Sequence, residues 1–211
     1  MTAPPARCVA VFGGTFDPPQ LAHVELPRLA ARAVGCERVI FVPTSSNPLK
    51  ERAPTPPHHR LAMLRIALRD TPDAEISTIE IDQPGPAFTV NTLAALRREL
   101  PPGISIRLVM GADTALGFPR WREPQRVLAL ATPVVMMRPP LDRDSFVVAM
   151  REVVGGDEAE RWRGWIADTP LVDASATEVR RRLAAGEDVA DLLDPEVLAY
   201  IQREKLYGVG R

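Results

Sequence analysis

A histidine and two adjacent glycines near the start of the chain have the residue types and spacing of a phosphate site. Gly13 and Gly14 follow a short apolar run, and His23 stands at the start of a predicted helix. Glycine has no Cβ and lets a phosphate approach the main chain, while the N-terminus of a helix attracts anions. A histidine there can donate to a phosphoryl oxygen. A plain strand–turn–helix connection explains the two glycines equally well.

A second group of phosphate-binding side chains stands at the start of a later helix. Ser175 is a good N-cap residue, and Glu178 follows it at the spacing of a capping box. The backbone N–H groups there, with Thr177 and Arg180, also suit phosphate oxygens. A purely structural cap remains an equal alternative for this segment taken alone.

Other candidate residues are less specific. Lys50 stands in a loop of low apolar content, and Trp121 fits either the core or a flat platform for a ring. His58 and His59 precede a helix and are expected to be solvated. Because adjacent histidines have poor spacing for a metal ion, we predict no metal site in the protein.

Composition and charge exclude several classes of protein. The 211 residues are 45% hydrophobic and 25% charged, with a net charge of -1, so nothing predicts binding to nucleic acid or to an acidic membrane surface. No apolar stretch approaches the roughly 18 residues of a membrane span, and residues 1–6 lack the core of a signal peptide. We expect a cytoplasmic, single-domain protein. Cys8 and Cys36 are expected to be small, buried or half-buried residues, because two cysteines cannot build a disulfide framework.

Apolar periodicity predicts alternating strands and helices, and therefore an α/β fold with a Rossmann-like, doubly wound, mostly parallel sheet and helices on both faces. In the first predicted helix, Pro27 is tolerable only if the regular helix starts near Val24. A later helix is expected to be capped by Asp144 and closed by Gly155 and Gly156. The predicted strands are 7–12, 38–42, 74–81, 104–110, 133–137 and 171–172, and the other predicted helices are 21–33, 59–69, 89–100, 127–130, 158–165, 176–184 and 195–205.

The candidate residues follow the carboxyl ends of predicted strands. In open α/β sheets, ligands bind at those ends, near a switch in strand order. Lys50 follows the second strand and Asp113 follows the strand at 104–110. We therefore expect both to share one crevice with His23 and Arg180, where cations and N–H groups would bind phosphates and a carboxylate would bind ribose hydroxyls.

Several ordered motifs together resemble the bacterial nicotinate-nucleotide adenylyltransferases, a family with a His/Thr-x-Gly-His signature. The resemblance covers nearly the whole chain. It rests on Gly13-Gly14-Thr15-Phe16-Asp17-Pro18 with His23, on Pro48-Leu49-Lys50, on Arg60 with Met63-Leu64, on Ala87-Phe88-Thr89 with Thr92-Leu93, on Gly111-Ala112-Asp113 with Phe118 and Trp121, on Arg138-Pro139, on Ser175-Ala176-Thr177 with Arg180, and on Tyr200-Ile201 with Leu206-Tyr207.

The resemblance implies adenylyl transfer from ATP to nicotinate mononucleotide, which gives deamido-NAD and pyrophosphate, a step of NAD biosynthesis. It also implies one nucleotidyltransferase domain over residues 1–211, with a C-terminal helical part at about 176–207. Mg²⁺ would arrive on the ATP phosphates. The implied catalytic residues are His23, Gln20, Lys50 and Arg180; those for ATP are Gly13, Gly14, Thr15, Phe16, Asp113, Ser175 and Thr177; those for the pyridine nucleotide are Thr89, Trp121 and Arg122.

The signature itself departs from the family at two positions. Gln20 stands where the family has His or Thr, and Ala22 stands where it has Gly. Glutamine can donate to phosphate but adds no positive charge, so we expect an active enzyme that is either slower or altered in its binding of the nucleotide. Two alternatives stay open, a phosphopantetheine adenylyltransferase and a nucleotide-binding paralogue with weakened catalysis. The preference between nicotinate and nicotinamide mononucleotide and the existence of a homo-oligomer also stay open.

Overall fold

The protein is built on one sheet of parallel strands. The computed structural model describes residues 8–44, 54–83, 85, 87–172 and 175–209. The strand order is β3-β2-β1-β4-β5, and every neighbouring pair is parallel, which confirms the predicted fold class. Strand order reverses between β1 and β4, so the crevice at their carboxyl ends is the expected ligand position. The strands are β1 Cys8–Gly14, β2 Val39–Pro43, β3 Ala74–Ile76, β4 Ser105–Gly111 and β5 Thr132–Met136.

Helices cover both faces of this sheet. The alternation of β1 shows why, since Val9 and Val11 pack into one hydrophobic cluster and Ala10 into another on the opposite face. The described helices are α1 Leu21–Ala33, α2 Pro57–Ala67, α3 Thr89–Glu99, α4 Ala112–Leu116, α5 Pro124–Leu130, α6 Arg143–Val154, α7 Gly156–Arg163, α8 Ala176–Ala185 and α9 Pro195–Arg203, with 3₁₀ turns at Phe118–Arg120 and Leu206–Gly208.

Helix α2 connects the sheet to the C-terminal helices. Leu64 packs into the cluster that covers one face of the sheet, whereas Met63 packs into a third cluster with Val179 of α8 and Ile201 of α9. Adjacent residues of a helix point in different directions, so α2 is buried from two sides. We refer to α8, α9 and the Leu206–Gly208 turn as the C-terminal unit.

Some predicted elements were wrong in extent. The strand predicted at 74–81 ends at Ile76, because Thr78 accepts hydrogen bonds from the N–H groups of Ile81 and Asp82 and turns the chain. The predicted strand at 171–172 is absent from the described residues. Next to β5 the chain forms a single bridge, between Val135 and Ile166.

Two expectations about helix starts were also wrong, although the bounds predicted for α1 are confirmed. Helix α1 begins at Leu21 and contains Pro27, so the helix tolerates Pro27 without a start near Val24. Helix α6 is capped by Asp142, not Asp144: Asp142 accepts from the Ser145 N–H at 2.8 Å, and Ser145 Oγ accepts from the Asp142 N–H at 2.9 Å. This reciprocal pair of bonds satisfies two N–H groups at the helix start.

The two cysteines are bonded to each other, contrary to the expectation of separate small residues. Cys8 begins β1 and Cys36 follows α1, and the β1–α1–β2 path returns the chain to within 4.9 Å between their Cα atoms. The two cysteines are 28 residues apart in sequence, and the parallel pairing of β1 with β2 brings them together.

The two glycines belong to β1 rather than to a loop. Gly13 pairs with Val42 and Gly14 with Pro43 in the parallel ladder. A Cβ on Gly14 would lie 2.9 Å from Cζ of Phe16, whose ring is only 2% exposed. Position 14 therefore requires glycine because the Phe16 ring lies too close for a Cβ.

We expect Gly14→Ala to lower the free energy of unfolding by about 1–3 kcal/mol, because the buried Phe16 ring must move. Gly13→Ala is the matched control, since its Cβ would meet only the Val42 carbonyl oxygen at 3.9 Å. We expect the control to stay within about 0.5 kcal/mol of wild type. Urea unfolding measures both, and equal losses would contradict this account of Gly14.

Candidate active site

The carboxyl ends of three neighbouring strands form the floor of the site. Gly14 of β1 lies beside Pro43 of β2, and on the other side β1 pairs with β4, which ends at Gly111. The Thr44 N–H donates to the Gly14 carbonyl at 2.9 Å and fixes the exit of β2. The segment from β1 to α1 therefore lies at the switch point of the sheet.

His23 occupies the first turn of α1 in a fixed orientation. Its Nδ1 accepts the Gln20 backbone N–H at 3.2 Å, and its half-buried ring meets the Phe16 ring edge-on at 5.8 Å. A neutral imidazole whose Nδ1 accepts carries its proton on Nε2. The Nε2 atom is then the nitrogen that can donate to an oxyanion.

Gln20 is buried, and among the described residues its side-chain nitrogen lacks a hydrogen-bond partner. It is 2% exposed; its side chain forms a capping box with His23, and its Nε2 has no hydrogen-bond partner among residues 8–44, 54–83, 85, 87–172 and 175–209. Leaving such a group unpaired costs about 1–3 kcal/mol. Because Gln20 is the N-cap of α1, its amide lies at the positive end of a helix, where an anion would find it.

Asp17 anchors the loop between β1 and α1 through a buried polar network. It is 7% exposed, and its carboxylate accepts from the Tyr207 hydroxyl at 2.7 Å and from the Thr55 N–H at 3.3 Å. The fully buried Arg60 donates from Nη1 to the Thr15 carbonyl at 2.7 Å and from Nε to the Thr55 carbonyl at 2.8 Å. We call Asp17, Thr55, Arg60 and Tyr207 the Asp17 network.

Charges within the Asp17 network are coupled. Burial lowers the pKa of the Arg60 guanidinium, and the negative charge of Asp17 opposes that shift. Burial also raises the pKa of the Tyr207 phenol, with the charge of Asp17 acting in the same direction. Tyr207 is therefore a neutral donor and Arg60 the cation that balances Asp17.

Arg180 joins the C-terminal unit to this loop. Its Nη1 donates to the Asp17 carbonyl at 2.8 Å and its Nη2 donates to Thr177 Oγ1 at 3.2 Å. Ser175 caps α8 as predicted, accepting the Glu178 N–H at 3.4 Å. The structure thus brings the second predicted group beside the first.

The predicted capping box at α8 is only half formed. The Glu178 carboxylate accepts from Arg181 and Arg182, and these two bonds lower its pKa to about 2. Both arginines lie on the outer face of α8.

Asp113 lies where the sequence placed it, in the first turn of α4 after β4. Its carboxylate is 59% exposed at the crevice, 3.7 Å from the Arg138 guanidinium. Phe16 differs from the expectation of a cleft-lining side chain. Its ring packs among Phe12 and Phe41, so only its backbone remains for a nucleotide. Thr15 is half-buried with its carbonyl bound to Arg60.

The predicted pyridine-binding residues gather around the start of α3. Thr89 is the first residue of that helix, and the Arg122 guanidinium lies 4.8 Å from the ring of Phe88, its N-cap residue. Trp121 is half-buried and packs against Phe118, with ring centroids 5.2 Å apart. These contacts place an aromatic face, a hydroxyl and a cation in one region.

Glu80 is a half-buried acid beside this region that the sequence did not single out. Its carboxylate accepts from Thr92 Oγ1 at 2.6 Å and also from Thr44, and burial raises its pKa. The bonds link the end of β2 to α3. A usable signal was the spacing of Thr89 and Thr92, which puts two hydroxyls on one face of a helix.

Several other predictions have plainer outcomes. Lys50 lies outside the described residues. His58 is exposed, but His59 is half-buried, with Nδ1 2.8 Å from the Tyr200 hydroxyl. In the part of the chain that the structure describes, no group of three or more His, Cys, Asp or Glu residues could hold a metal ion. Among the helices described, none has the length and apolar character to cross a membrane.

Comparison with known proteins gives a consistent family. The cytidylyltransferase-like family model matches residues 11–182. A protein of Roseiflexus sp. (strain RS-1), named "Probable nicotinate-nucleotide adenylyltransferase", is 37% identical over 94% of this chain and 97% of its own. A protein of Thermomicrobium roseum with the same name is 34% identical over 94% of this chain and 91% of its own.

Solved structures show the same fold. The nicotinic acid mononucleotide adenylyltransferase of Plasmodium falciparum, complexed with APC, superposes with a TM-score of 0.70 at 18% identity, over 95% of this chain and 97% of the other. The same protein complexed with NaAD gives a TM-score of 0.69 over the same shares. At this identity the likeness concerns the fold alone.

We expect Glu80→Gln to raise the free energy of unfolding more at pH 7 than at pH 4. Because burial raises the pKa of Glu80 in the folded state, folded protein keeps this proton to a higher pH than unfolded chain. Stability is therefore lost as pH rises from the unfolded pKa through the folded one. Glutamine keeps an acceptor for Thr92 without the charge.

Urea unfolding of wild type and variant at both pH values tests this expectation. Glu37→Gln, on the exposed turn between α1 and β2, is the matched control for the loss of one carboxylate. A stability gain for Glu80→Gln that does not grow from pH 4 to pH 7, relative to that control, would contradict the assignment.

Proposed function

Because the chain belongs to the cytidylyltransferase-like family and, within it, to the nicotinate-nucleotide adenylyltransferases, we propose that it transfers the adenylyl group of ATP to nicotinate mononucleotide. A phosphate oxygen of the mononucleotide forms a bond to the α-phosphorus of ATP as the bond to pyrophosphate breaks. The products are deamido-NAD and pyrophosphate. The observation that carries the proposal in this chain is the buried amide nitrogen of Gln20, unpartnered among the described residues, beside His23 at a helix N-terminus.

The attacking phosphate is already an anion, so the site needs no side-chain base. Catalysis then consists of positioning and of stabilising negative charge. His23, through Nε2, and the Gln20 amide would donate to phosphate oxygens near the reacting phosphorus. Arg180 at the start of α8, with Ser175 and Thr177, would hold the triphosphate and the departing pyrophosphate.

The nucleotide would lie along the end of β1. Gly13 is exposed there, and of the described residues only Val42, through its carbonyl oxygen at 3.9 Å, would meet a Cβ at this position. The backbone of Gly14, Thr15 and Phe16 continues this wall toward α1. Asp113 would accept from ribose hydroxyls across the switch point, and Lys50 would add a cation from the loop after β2.

A divalent ion fits this site as a companion of ATP. Both Asp17 carboxylate oxygens are engaged, by Tyr207 and Thr55, and Asp113 faces Arg138. Phosphate oxygens therefore remain the natural ligands, as is common for Mg²⁺. Bound in this way, Mg²⁺ neutralises phosphate charge.

Residues 1–211 would act as one nucleotidyltransferase domain whose helical part at 176–207 contributes Arg180. The packing of Met63 from α2 among Val179 and Ile201 supports this view. The requirement for ATP favours action in the cytoplasm.

A pyrophosphate-release assay with ATP, Mg²⁺ and nicotinate mononucleotide tests the function directly. Turnover only with phosphopantetheine would favour the other adenylyltransferase. ATP binding without turnover on either acceptor would favour a binding paralogue. The position of Thr89 at the start of α3, with Arg122 over Phe88 and Trp121 beside it in sequence, favours the first outcome.

We expect Gln20→Met to be more stable and less active than wild type. Methionine has nearly the shape of glutamine and removes the unpaired amide nitrogen, so the free energy of unfolding should rise by about 1–3 kcal/mol. If the amide donates in the transition state, kcat should fall at least tenfold. Gln20→His should instead raise kcat, because an imidazolium adds positive charge.

Gln202→Met, on the exposed face of α9, is the matched control for both measurements. Chemical unfolding and steady-state kinetics are measured on the same preparations. A Gln20→Met protein that keeps full kcat, or one that loses stability, would refute this role for the amide.

We expect Arg122→Gln to reduce the preference for nicotinate over nicotinamide mononucleotide. The nicotinate ring carries a carboxylate, and Arg122 is the cation that lies over Phe88 beside Thr89. The ratio of kcat/KM for the two mononucleotides should fall about tenfold, as expected for loss of a charge-assisted hydrogen bond. Arg126→Gln, at an exposed position in α5, is the control. An unchanged ratio would assign the preference elsewhere.

A further inference from the structure

Asp17 makes two different kinds of contact at the same point in the chain. Its carboxylate is held inside the Asp17 network by Tyr207 and Thr55, while its backbone carbonyl accepts from Arg180 at 2.8 Å. Whatever fixes the carboxylate therefore also fixes the acceptor that orients the Arg180 guanidinium.

Two hydrogen bonds orient Arg180 without neutralising it. Among the described residues, its acceptors are the Asp17 carbonyl and Thr177 Oγ1, which are both uncharged oxygens. A guanidinium has five N–H donors, and these contacts use two of its nitrogens. Its charge remains available to an anionic ligand.

Arg60 explains why the Asp17 carboxylate does not neutralise the Arg180 guanidinium. The fully buried Arg60 guanidinium interacts electrostatically with the Asp17 carboxylate. Tyr207 occupies one carboxylate oxygen and Thr55 the other. The carboxylate is thus balanced and bonded away from Arg180, although the two residues are in direct contact through the backbone.

Tyr207 and Arg180 are carried by the same C-terminal unit. Arg180 belongs to α8, and Tyr207 lies in the 3₁₀ turn that packs against α8. Position 208 shows this contact, since a Cβ there would lie 3.8 Å from the Ala184 Cβ. Docking of Tyr207 onto Asp17 therefore brings Arg180 to the loop after β1.

We propose that Asp17 and Tyr207 are positioning residues, which set Arg180 for the phosphates of ATP. The inference rests on the proposed function for its kinetic part. Its binding part needs only that ATP occupies the crevice.

Tyr207→Phe removes one hydroxyl and keeps the ring. We expect the Kd for ATP, measured by calorimetry with Mg²⁺, to rise about three- to tenfold, and kcat to fall by a similar factor, as loss of one hydrogen bond implies. The KM for nicotinate mononucleotide should change less than twofold, since Thr89 and Trp121 lie on other elements.

Tyr200→Phe is the matched control. It removes the other tyrosine hydroxyl of the C-terminal unit, which lies 2.8 Å from His59 Nδ1. We expect a comparable change in thermal stability with unchanged ATP binding and kcat. An equal loss of ATP affinity in both variants would reduce Tyr207 to a structural role and overturn the inference.

A double-mutant cycle shows whether Tyr207 acts through Arg180. Arg180→Ala should weaken ATP binding, and adding Tyr207→Phe to it should cause less than a twofold further loss. A full additional loss would overturn the inference. Asp17→Asn, which keeps the backbone carbonyl that accepts from Arg180 and replaces the carboxylate by an amide, should resemble Tyr207→Phe in ATP affinity.

The two proposals fail in different ways. Wild-type protein that releases no pyrophosphate from ATP and nicotinate mononucleotide refutes the proposed function, while the ATP-binding cycle still decides the role of Tyr207. An active wild type with unchanged ATP affinity and kcat in Tyr207→Phe refutes the positioning role alone.

Discussion

A buried charge holds the loop between β1 and α1, and the site depends on how that charge is satisfied. Asp17 is almost inaccessible to water, and an ionised carboxylate there is tolerable only with charge balance and hydrogen bonds. Arg60 gives the balance, and Tyr207 and Thr55 give the bonds. Three segments that are far apart in sequence meet for this reason, and His23, Gln20 and Arg180 are placed where they meet.

The parallel sheet determines which residues can reach that meeting point. Strand order reverses between β1 and β4, so the loops after these strands open on the same crevice. The β1 loop leads to the N-terminus of α1, and β4 leads to Asp113. Helix α2 contributes Arg60 to the Asp17 network, and its Met63 packs against the C-terminal unit.

Local signals made much of the fold predictable from the sequence. The apolar run of β1, the glycine after α1 and the Ser175 cap of α8 each act over a few residues, and α1 matches its predicted bounds. The candidate residues were predicted to share one crevice because polar groups at strand ends share one edge of a parallel sheet. Where local rules compete, they failed: the Gly-Gly pair indicated a loop, but both residues are paired in β1.

Contacts between distant segments could not be predicted in this way. Asp17 and Tyr207 are separated by 190 positions, and no local pattern connects them. The Cys8–Cys36 bond depends on strand register, and the burial of Glu80 depends on α3 packing beside the end of β2. Arg60 precedes Met63 and Leu64 by three and four residues, which places it on the buried side of a predicted helix. A charge in that position requires a buried partner, but the sequence did not identify that partner.

The separation between Asp17 and Tyr207 has a consequence for synthesis of the protein. The chain emerges from its N-terminus, and at about 5–20 residues per second the 190 residues between the two require roughly 10–40 s. During that interval β1 and its partner strands can form, but Asp17 lacks the hydroxyl that completes its surroundings. Until the C-terminal unit docks, the Asp17 carboxylate is therefore without its Tyr207 donor.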